Sequence, residues 1–488
     1  MPNSYILMLC IGLILNSTQE LLSQNSWSKR LPGIGTFSSP RVSDLNGDGI
    51  GDIILGAGRQ EFEACDSAII ALNGLDGTLL WNVSAKDQVF GSAALKDLNM
   101  DGIDDIIING RSAELQAING KNGAILWKFD KKTKHKDEEI NWFNFYNPLL
   151  IPDQNNDGFD DILISNGGDV KVAAFDANRP TGYLAIIDAL NGSLISLAAM
   201  PDGKETYMSV VISKKQTSND YEVVFGTGGE TVGGSLFVTL LSDVLKGDLS
   251  NATQLATSSD KGFIAPAAWV DITGDGILDI VANAFDGRML TFDGLNKNLI
   301  WQAEMKNTEA YCSLAIGHFT TDKTPDFFVS YSRGIWPEIG WAKQFMVNGL
   351  NGNIEFVDSL GYLQMTTPIA ADLNSDDRDE AILNMNYQVI DSIYRKSFYN
   401  LLVAFDFNRN KLIALTDATP GHNVSSTPWI GDLDNDGFLD IIYSHSTNEF
   451  HTYTFDGFQV NLIKTNILMR KKVTWGSYMG SNYDGIYK

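Results

Sequence analysis

The chain has 488 residues, of which 44% are hydrophobic, so it can bury a large core and global disorder is excluded. It carries 60 acidic against 36 basic side chains, and the net charge of −24 argues against nucleic acid or an anionic membrane surface as a partner. The three cysteines, Cys10, Cys65 and Cys312, lie too far apart for a disulfide scaffold or for a cysteine-based zinc or haem site.

The N-terminal segment is apolar from Tyr5 to Leu15. This run is too short to span a membrane and has the length of a secretory signal core. The sequence therefore predicts a signal peptide over residues 1–24 and a protein that is secreted, held at the cell surface or periplasmic. An uncleaved anchor is the alternative, because no lysine or arginine precedes the apolar run. No later stretch is long and apolar enough to span a membrane, so we expect no span in the mature chain.

An acidic loop recurs along the rest of the chain, first as "DLNGDGIGD" from Asp44. Six copies keep their acidic positions. The two copies from Lys214 and His318 keep the length and the following apolar strand but lose the first acidic position. The eight copies begin at residues 44, 97, 153, 214, 271, 318, 372 and 432, with a mean spacing of about 55 residues. A regular period of this size is typical of an array of supersecondary units that bury their faces against each other.

Each unit reads as four β-strands, which we label A to D. A short strand with small residues or proline precedes the acidic loop, and a β-branched run such as "DIILG" follows it. A strand–turn–strand pattern such as "IIALNGLDGTLLW" completes the unit. We therefore expect an all-β fold over residues 25–488, an eight-bladed β-propeller of four-stranded antiparallel blades. Seven blades, a sandwich or an open solenoid are the alternatives.

Two segments are candidates for closing the propeller. Trp27 lies 12 residues before Ser39, just as Trp301 lies 12 residues before Ser313, so "SWSKRL" resembles a D strand without a unit of its own. That strand could pair into the last blade. The C-terminal tail, residues 471–488, could instead lie over the closure, and the sequence leaves both possibilities open.

The six complete loops have the composition of calcium sites. In the first loop, positions 1, 3 and 5 (Asp44, Asn46 and Asp48) can face one point, the carbonyl of Ile50 can add an oxygen, and Asp52 at position 9 can bind through two. Hard oxygen donors without histidine or cysteine argue against zinc and copper. The corresponding sets in the other five loops are Asp97, Asn99, Asp101, Ile103, Asp105; Asp153, Asn155, Asp157, Phe159, Asp161; Asp271, Thr273, Asp275, Ile277, Asp279; Asp372, Asn374, Asp376, Arg378, Glu380; and Asp432, Asp434, Asp436, Phe438, Asp440.

The residue at position 6 differs between the loops and distinguishes strong from weak predicted sites. Gly49 in the first loop permits the positive φ that wraps the chain around an ion. Asp377 replaces this glycine in the loop from Asp372, which predicts a weaker site there. The loops from Lys214 and His318 lack the acid at position 1, and we expect no metal in them. The sequence thus predicts about six Ca²⁺ ions per chain.

The loops "DLNGDGIGD", "DLNMDGIDD" and "DLDNDGFLD", each followed by an apolar strand, resemble the FG-GAP repeats of integrin α-subunit propellers. The segments "NGLDGTLLW" and "NGKNGAILW" also resemble the repeats of quinoprotein-type propellers. The FG-GAP resemblance implies that the acidic loops join strands A and B on one rim, and that their calcium is structural. It also implies that the B–C and D–A connections lie on the opposite face.

The predicted B–C connections are uneven in length. Long ones cover residues 58–67, 166–183, 226–235, 331–343 and 385–400. Arginine and aromatic side chains in extra loops over a rigid scaffold suit sugar rings or a peptide. The candidate ligand face therefore consists of Arg59, Arg179, Arg333, Trp336, Trp341, Tyr387, Tyr394 and Arg395.

These features favour a monomeric calcium-binding propeller that acts as a binding or adhesion module for an extracellular glycan or protein. One alternative is a calcium-dependent carbohydrate-active enzyme resembling the propeller-type polysaccharide lyases, and another is a purely structural surface or periplasmic scaffold with no small ligand. The chain has no GxSxG, P-loop or HExxH motif, which makes a non-enzymatic role the preferred prediction. A quinoprotein dehydrogenase is disfavoured, because the adjacent cysteine pair of that family and a haem-binding CxxCH are missing.

Overall fold

The computed structural model describes residues 26–136, 138–335, 338–363 and 365–488. The predicted signal peptide, with Cys10, and the candidate ligand residue Trp336 lie outside the described residues. Each predicted unit folds into a four-stranded antiparallel sheet, and the eight sheets form an eight-bladed β-propeller. The predicted fold class and blade number are therefore confirmed.

The strands follow one another in each blade from the inner strand A to the outer strand D. Blades 1 to 4 consist of Arg41–Ser43, Asp52–Gly56, Cys65–Leu72, Leu79–Ala85; Ala94–Lys96, Asp105–Asn109, Leu115–Ile118, Ile125–Lys128; Leu149–Ile151, Asp161–Gly167, Tyr183–Ile187, Leu194–Ala199; and Val211–Lys214, Tyr221–Gly226, Gly234–Leu240, Thr253–Ser258. Blades 5 to 8 consist of Ala268–Val270, Asp279–Asn283, Arg288–Phe292, Leu299–Glu304; Ala315–Gly317, Asp326–Ile335, Glu338–Val347, Ile354–Asp358; Ile369–Ala371, Glu380–Ile390, Lys396–Asp406, Lys411–Ala414; and Trp429–Gly431, Phe438–Ser446, Gly457–Leu468, Trp27–Pro32.

A few short elements lie outside this plan. Blades 3, 6 and 7 each carry one extra two-residue strand, Asn144–Phe145, Thr308–Glu309 and Thr419–Pro420. A small hairpin, Lys134–His135 with Glu138–Glu139, precedes blade 3, and a six-residue helix, Leu241–Lys246, lies between strands C and D of blade 4. None of the helices in the described part of the chain has the length and hydropathy needed to cross a bilayer.

The burial of each strand follows from its place in the blade. Strand B of blade 1, Asp52–Gly56, is buried at every position, because neighbouring blades cover both of its faces. The outer strand Leu79–Ala85 alternates between buried and exposed positions, as a strand with one covered face must. A truncation such as Ile53→Ala in a B strand is therefore expected to cost about 2–5 kcal/mol.

The strand Trp27–Pro32 closes the ring. It pairs antiparallel with strand C of blade 8, from Trp27 opposite Leu462 to Pro32 opposite Gly457. The first described strand thus completes the last blade, which settles one of the two possibilities that the sequence left open. Closure by a distant strand ties the two ends of the propeller together and gives strand C of blade 8 its outer partner.

Tryptophans of the outer strands join neighbouring blades at four of the eight junctions. Nε1 of Trp27 donates to the carbonyl of Gly74 at 3.0 Å, which links blade 8 to blade 1. A Cβ placed on Gly77 would lie 2.7 Å from the Trp27 ring, and Gly77 has φ +72°, so only glycine fits beneath the indole. The same tryptophan-to-turn hydrogen bond recurs from Trp81 to Gly120, from Trp127 to Ala189 and from Trp301 to Gly349.

The C-terminal tail occupies the central channel. Its backbone bonds the inner strands of several blades: Trp269 N–H donates to the Gly485 carbonyl at 2.9 Å, and Ala370 N–H donates to the Trp475 carbonyl at 3.0 Å. The buried Arg41 of blade 1 donates to the Tyr478 carbonyl at 3.0 Å and stacks over the Tyr483 ring at 3.9 Å. The tail therefore fills the channel and holds the inner strands together.

Candidate functional site

The complete acidic loops all curl around the carboxylate at position 1. In blade 1, Asp44 Oδ1 accepts from the N–H of Gly47 at 2.7 Å and Oδ2 accepts from Gly49 at 2.9 Å. Gly49 has φ +84°, the positive value that was expected of a glycine at position 6 of the loop. The bond from the residue at position 6 to Oδ2 recurs in each of the other five loops: Gly102 to Asp97, Gly158 to Asp153, Gly276 to Asp271, Asp377 to Asp372 and Gly437 to Asp432.

Positions 5 and 7 repeat a second bond. The N–H of Ile50 donates to Asp48 Oδ1 at 2.9 Å. The equivalent bonds are Ile103 to Asp101, Phe159 to Asp157, Ile277 to Asp275, Arg378 to Asp376 and Phe438 to Asp436. Asp377 adopts φ +66° in the blade 7 loop, which a non-glycine residue reaches only with strain. The six loops thus share one conformation on the A–B rim.

The acid at position 9 has a structural partner set that the sequence did not suggest. Asp52, which is buried, accepts from Leu45 N–H at 2.9 Å through Oδ2 and from Gly74 N–H at 3.0 Å through Oδ1. It therefore connects the A–B loop to the C–D turn. Asp326 of blade 6 makes the same bonds to Phe319 and Gly349, although its loop lacks the acid at position 1. Position 9 thus supports the hairpin with or without a metal ion.

Burial governs the ionisation of these position 9 acids. Burial raises the pKa of Asp161, Asp326 and Asp440 to about 6 and that of Glu380 to about 8, and neighbouring carboxylates add to the rise. A nearby cation would offset both effects. Asp161, Asp326 and Glu380 have no ion-pair partner among the described residues, whereas Asp440 is paired with Lys464.

Several ligand-position oxygens have no hydrogen-bond donor. Among the buried side-chain atoms of the described residues, Asp161 Oδ1, Asn374 Oδ1, Asp434 Oδ1 and Asp440 Oδ1 have no partner. An orphaned buried oxygen is costly unless an ion or water completes it. All four lie at position 3 or position 9 of the predicted calcium loops, so the donor set fits a hard cation.

Two loops already contain a protein cation. Lys464 Nζ lies 2.7 Å from Asp434 Oδ2 and 2.9 Å from Asp440 Oδ2 in blade 8. Asp432, Asp434 and Asp440 form the one group of three acids, within the described ranges, whose oxygens lie within 4.8 Å of each other. In blade 7, Arg409 lies 3.5 Å from Asp376. In blades 1, 2, 3 and 5, which are fully described, no lysine or arginine pairs with a predicted ligand carboxylate.

The predicted ligand-face residues are scattered. Arg59 pairs with Glu63 at 3.4 Å, Tyr387 stacks on Tyr399 at 5.5 Å between ring centroids, and Arg395 pairs with Asp391 at 3.3 Å. The side chains of Arg333, Trp341 and Tyr394 are exposed, with Tyr394 87% exposed at a hairpin tip. They form no single pocket with one another.

The connections predicted as long loops in blades 6 and 7 are mainly strand. Asp326–Ile335 pairs with Glu338–Val347, and Glu380–Ile390 pairs with Lys396–Asp406, so the two hairpins project as ribbons. Backbone pairing continues there because each extended strand finds a partner along its whole length. Arg179 is the predicted ligand-face residue that lies inside: its side chain is 9% exposed and pairs with Glu205 at 3.2 Å.

A ring of side chains surrounds the channel on the face opposite the acidic loops. Each blade contributes the residue two positions before the small or proline residue that opens its strand A. These eight side chains, which we call the mouth ring, are half-buried and consist of Phe37, Phe90, Tyr146, Tyr207, Ile264, Tyr311, Met365 and Ser425. The sequence shows the repeated small residues but gives no reason to single out the position before them.

Hydroxyl groups below the mouth ring tie neighbouring blades together. Ser39 Oγ accepts from Thr427 N–H at 3.0 Å, and Ser92 Oγ accepts from Ser39 N–H at 2.9 Å. Thr367 Oγ1 accepts from Ser313 N–H at 3.1 Å in the same manner. Tyr478 of the C-terminal tail also lines this space. The result is a cavity of about 160 Å³ with the tail at its inner end.

Two histidines of the last blade, His422 and His445, lie inside the fold. His422 has carbonyl oxygens near both ring nitrogens, from Asn448 at 3.1 Å and Thr452 at 2.5 Å. His445 is 3% exposed, and burial lowers its pKa to about 4. Their side chains support the packing of blade 8 and do not face the channel mouth.

Sequence comparisons find a matching β-propeller family model and two similar proteins. A family model described as the FAM234A/B beta-propeller matches residues 27–240. Protein FAM234B of Mus musculus is 22% identical over 419 residues, which is 76% of this chain and 60% of the mouse protein. Protein FAM234B of Homo sapiens is 21% identical over 479 residues, which is 89% of this chain and 71% of the human protein. The match to the mouse protein thus spans less than two thirds of its length.

Structural comparisons concern the fold. The quinohemoprotein alcohol dehydrogenase ADHIIG of Pseudomonas putida HK5 superposes with a TM-score of 0.56 at 12% identity, covering 90% of this chain and 75% of the enzyme. The exotype rhamnogalacturonan lyase YesX gives a TM-score of 0.54 at 12% identity, covering 93% and 75%. The chain is an eight-bladed propeller that is similar in sequence to FAM234B and in architecture to these two kinds of enzyme.

Proposed function

We propose that the chain is an exported binding module in which calcium stabilises one rim of the propeller and the opposite face takes a ligand. The observation that carries the calcium claim is the set of buried oxygens without donors at ligand positions 3 and 9. The common loop conformation, which turns the side chains of positions 1 and 5 inward, supports it. The FG-GAP resemblance of the loops points the same way.

The loops divide into two groups by their internal charge. In blades 1, 2, 3 and 5, the loops carry carboxylate and amide or hydroxyl oxygens without a paired lysine or arginine, and these are the donor types that calcium prefers. In blades 7 and 8, Arg409 and Lys464 already offset part of the charge, and calcium binding there is weaker. Bound calcium would supply fixed positive charge between the A–B loop and the buried position 9 acid. Because it binds the folded state, it also raises the free energy of unfolding.

The ligand-binding role is assigned to the face that carries the mouth ring. Loops and hairpins there differ in length from blade to blade, whereas the A–B loops repeat. Variation on one face of a rigid scaffold is where recognition usually resides. The proposed ligand is an extracellular glycan or protein segment. A glycan array, combined with an assay for unsaturated uronate products, distinguishes a binding module from a lyase-type enzyme.

A matched pair of variants tests the calcium claim. Asp275 of blade 5 and Asp322 of blade 6 both lie at position 5 and both accept from the N–H of position 7, at 2.8 and 2.9 Å. Their loops differ at position 1, which is Asp271 in blade 5 and His318 in blade 6. Asp275→Asn should reduce the rise in melting temperature that calcium produces, whereas Asp322→Asn should leave that rise unchanged. An equal effect of both variants would argue against metal binding in the complete loops.

A further inference from the structure

The channel mouth has the size of a small-molecule site. Its cavity of about 160 Å³ is comparable to an engineered protein cavity of about 150 Å³ that accepts benzene. The tail residue Tyr478 lies at the inner end, so a ligand enters from the face that carries the mouth ring. The cavity therefore fits one compact group, such as a small ring or a methylated ammonium.

Aromatic rings form much of its wall. Phe90, Tyr146 and Tyr207 follow one another around the mouth, with centroids 5.8 and 5.9 Å apart, and Tyr311 lies on another blade. Aromatic faces carry partial negative charge and attract cations. The same region already uses this attraction, since the Arg111 guanidinium lies 4.9 Å from the Phe90 centroid.

Of three described glutamates that lie near Tyr207 and Tyr311, two are paired with a cation and one is not. Arg179 pairs with Glu205 at 3.2 Å, and Tyr207 donates to the same carboxylate at 2.9 Å. Lys261 pairs with Glu309 at 2.7 Å, and Tyr311 donates to it at 3.0 Å. These two acids are almost fully buried, at 1% and 2% side-chain exposure, and each is neutralised by its own cation.

Glu230 is the exception. It lies between the two pairs: Lys261 Nζ donates to its backbone carbonyl at 2.7 Å, and a Cβ on the preceding Gly229 would lie 2.9 Å from Glu205 Oε1. No hydrogen bond or ion pair joins its half-buried carboxylate to another described residue. Burial, and next the Glu309 carboxylate, raise the pKa of Glu230, and the nearby Lys261 and Arg179 oppose this rise.

We infer that the channel mouth binds a small organic ammonium group, which the aromatic wall surrounds and the Glu230 carboxylate neutralises. A positive ligand offsets the negative charge of the Glu230 carboxylate, and a methylated ammonium needs no hydrogen-bond acceptors from the wall. An anion would face the unpaired carboxylate, and a neutral ring of the same size would leave that carboxylate uncompensated. This inference rests on the proposed binding role of the face and names the chemistry of its ligand.

The test compares choline with 3,3-dimethylbutan-1-ol, its neutral isostere, by calorimetric titration of the folded, calcium-loaded chain. Choline should bind at least tenfold more tightly than the isostere. Glu230→Gln should reduce choline affinity at least tenfold, whereas Glu355→Gln, on the exposed outer strand of blade 6, should not change it. Tyr146→Leu should weaken binding and Tyr146→Phe should retain it, because the second variant keeps the aromatic face.

Three outcomes would overturn the inference: no choline binding, equal binding of choline and the isostere, or unchanged affinity in Glu230→Gln. Bound calcium is measured in the same samples. If the chain contains calcium but does not bind choline, the ammonium site is wrong and the calcium proposal stands. If the folded chain contains no calcium, the proposed calcium function is wrong. The isostere comparison uses the unaltered chain, so the test does not depend on the folding of any variant.

Discussion

Lys464 Nζ lies 2.9 Å from Oδ2 of Asp440, the position 9 acid of the blade 8 loop. The same nitrogen lies 2.7 Å from Asp434 at position 3. Burial lowers the pKa of Lys464, but its hydrogen bonds to these two acids outweigh that effect and raise it. Blade 8 therefore contains an internal cation that the loops of blades 1, 2, 3 and 5 do not have.

Replacing this lysine should make blade 8 dependent on calcium. Lys464→Met leaves the buried Asp440 and the half-buried Asp434 without their cation, which should cost about 3–5 kcal/mol of unfolding free energy in a chelator. Calcium at millimolar concentration should restore most of that loss. Thermal and urea unfolding with and without calcium measure the difference.

The matched control is Lys297→Met. Lys297 pairs with Glu222 at 2.6 Å, and Glu222 holds position 9 of the blade 4 loop, which lacks the acid at position 1. Its loss of stability should be the same with and without calcium. If calcium restores both variants, or neither, the distinction between the two kinds of loop is wrong.

Trp27 should carry much of the stability of the closure. The Trp27→Leu variant loses the hydrogen bond to Gly74 and the ring that covers Gly77, both across the junction of blades 8 and 1. We expect a loss of about 2–4 kcal/mol, measured by urea unfolding. Trp341→Leu removes an equally large ring that is 49% exposed and should cost less than about 1 kcal/mol. Similar losses from both variants would contradict the role of Trp27 in closure.

His445 should make the fold sensitive to mild acid. Burial lowers its pKa to about 4, whereas the unfolded chain titrates near the ordinary value of about 6.5. Below pH 6.5 the unfolded chain therefore binds one more proton, and the stability that the neutral ring provides is lost as the pH falls towards 4. Between pH 7.5 and pH 5, this contributes a loss of up to ~2 kcal/mol.

The comparison of His445→Gln with His451→Gln checks this dependence. His451 is exposed, whereas His445 is 3% exposed. Urea unfolding at pH 7.5 and pH 5, in saturating calcium, should show a smaller loss on acidification for His445→Gln than for the parent. Equal losses for the two variants would show that His445 does not titrate as its burial requires.

The repeat in the sequence was enough to predict the blades. The spacing of the acidic loops, the β-branched B strands and the glycine turns are local features, and each appears where a strand or turn forms. The position of Trp27 relative to Ser39 indicated a D strand, and the structure pairs that strand with blade 8. Local pattern sufficed there because every unit repeats the same contacts.

Features that depend on distant contacts were not predictable. Lys464 reaches the blade 8 loop from strand C, and nothing in its sequence neighbourhood marks it as a partner of Asp434. Arg179 was predicted on the ligand face, but it lies against Glu205 because the blade 4 entry brings that acid to the mouth. The mouth ring comes together only through eightfold closure, which places one residue of each blade around the same axis.

The calcium content of the folded chain tests the central claim most directly. The chain is equilibrated in millimolar calcium, passed into metal-free buffer to remove unbound ions, and measured by elemental analysis alongside protein concentration. The loops of blades 1, 2, 3 and 5 predict at least four Ca²⁺ per chain, with up to two more from blades 7 and 8. Fewer than one Ca²⁺ per folded chain would contradict the claim and leave the acidic loops as turns held by their own hydrogen bonds.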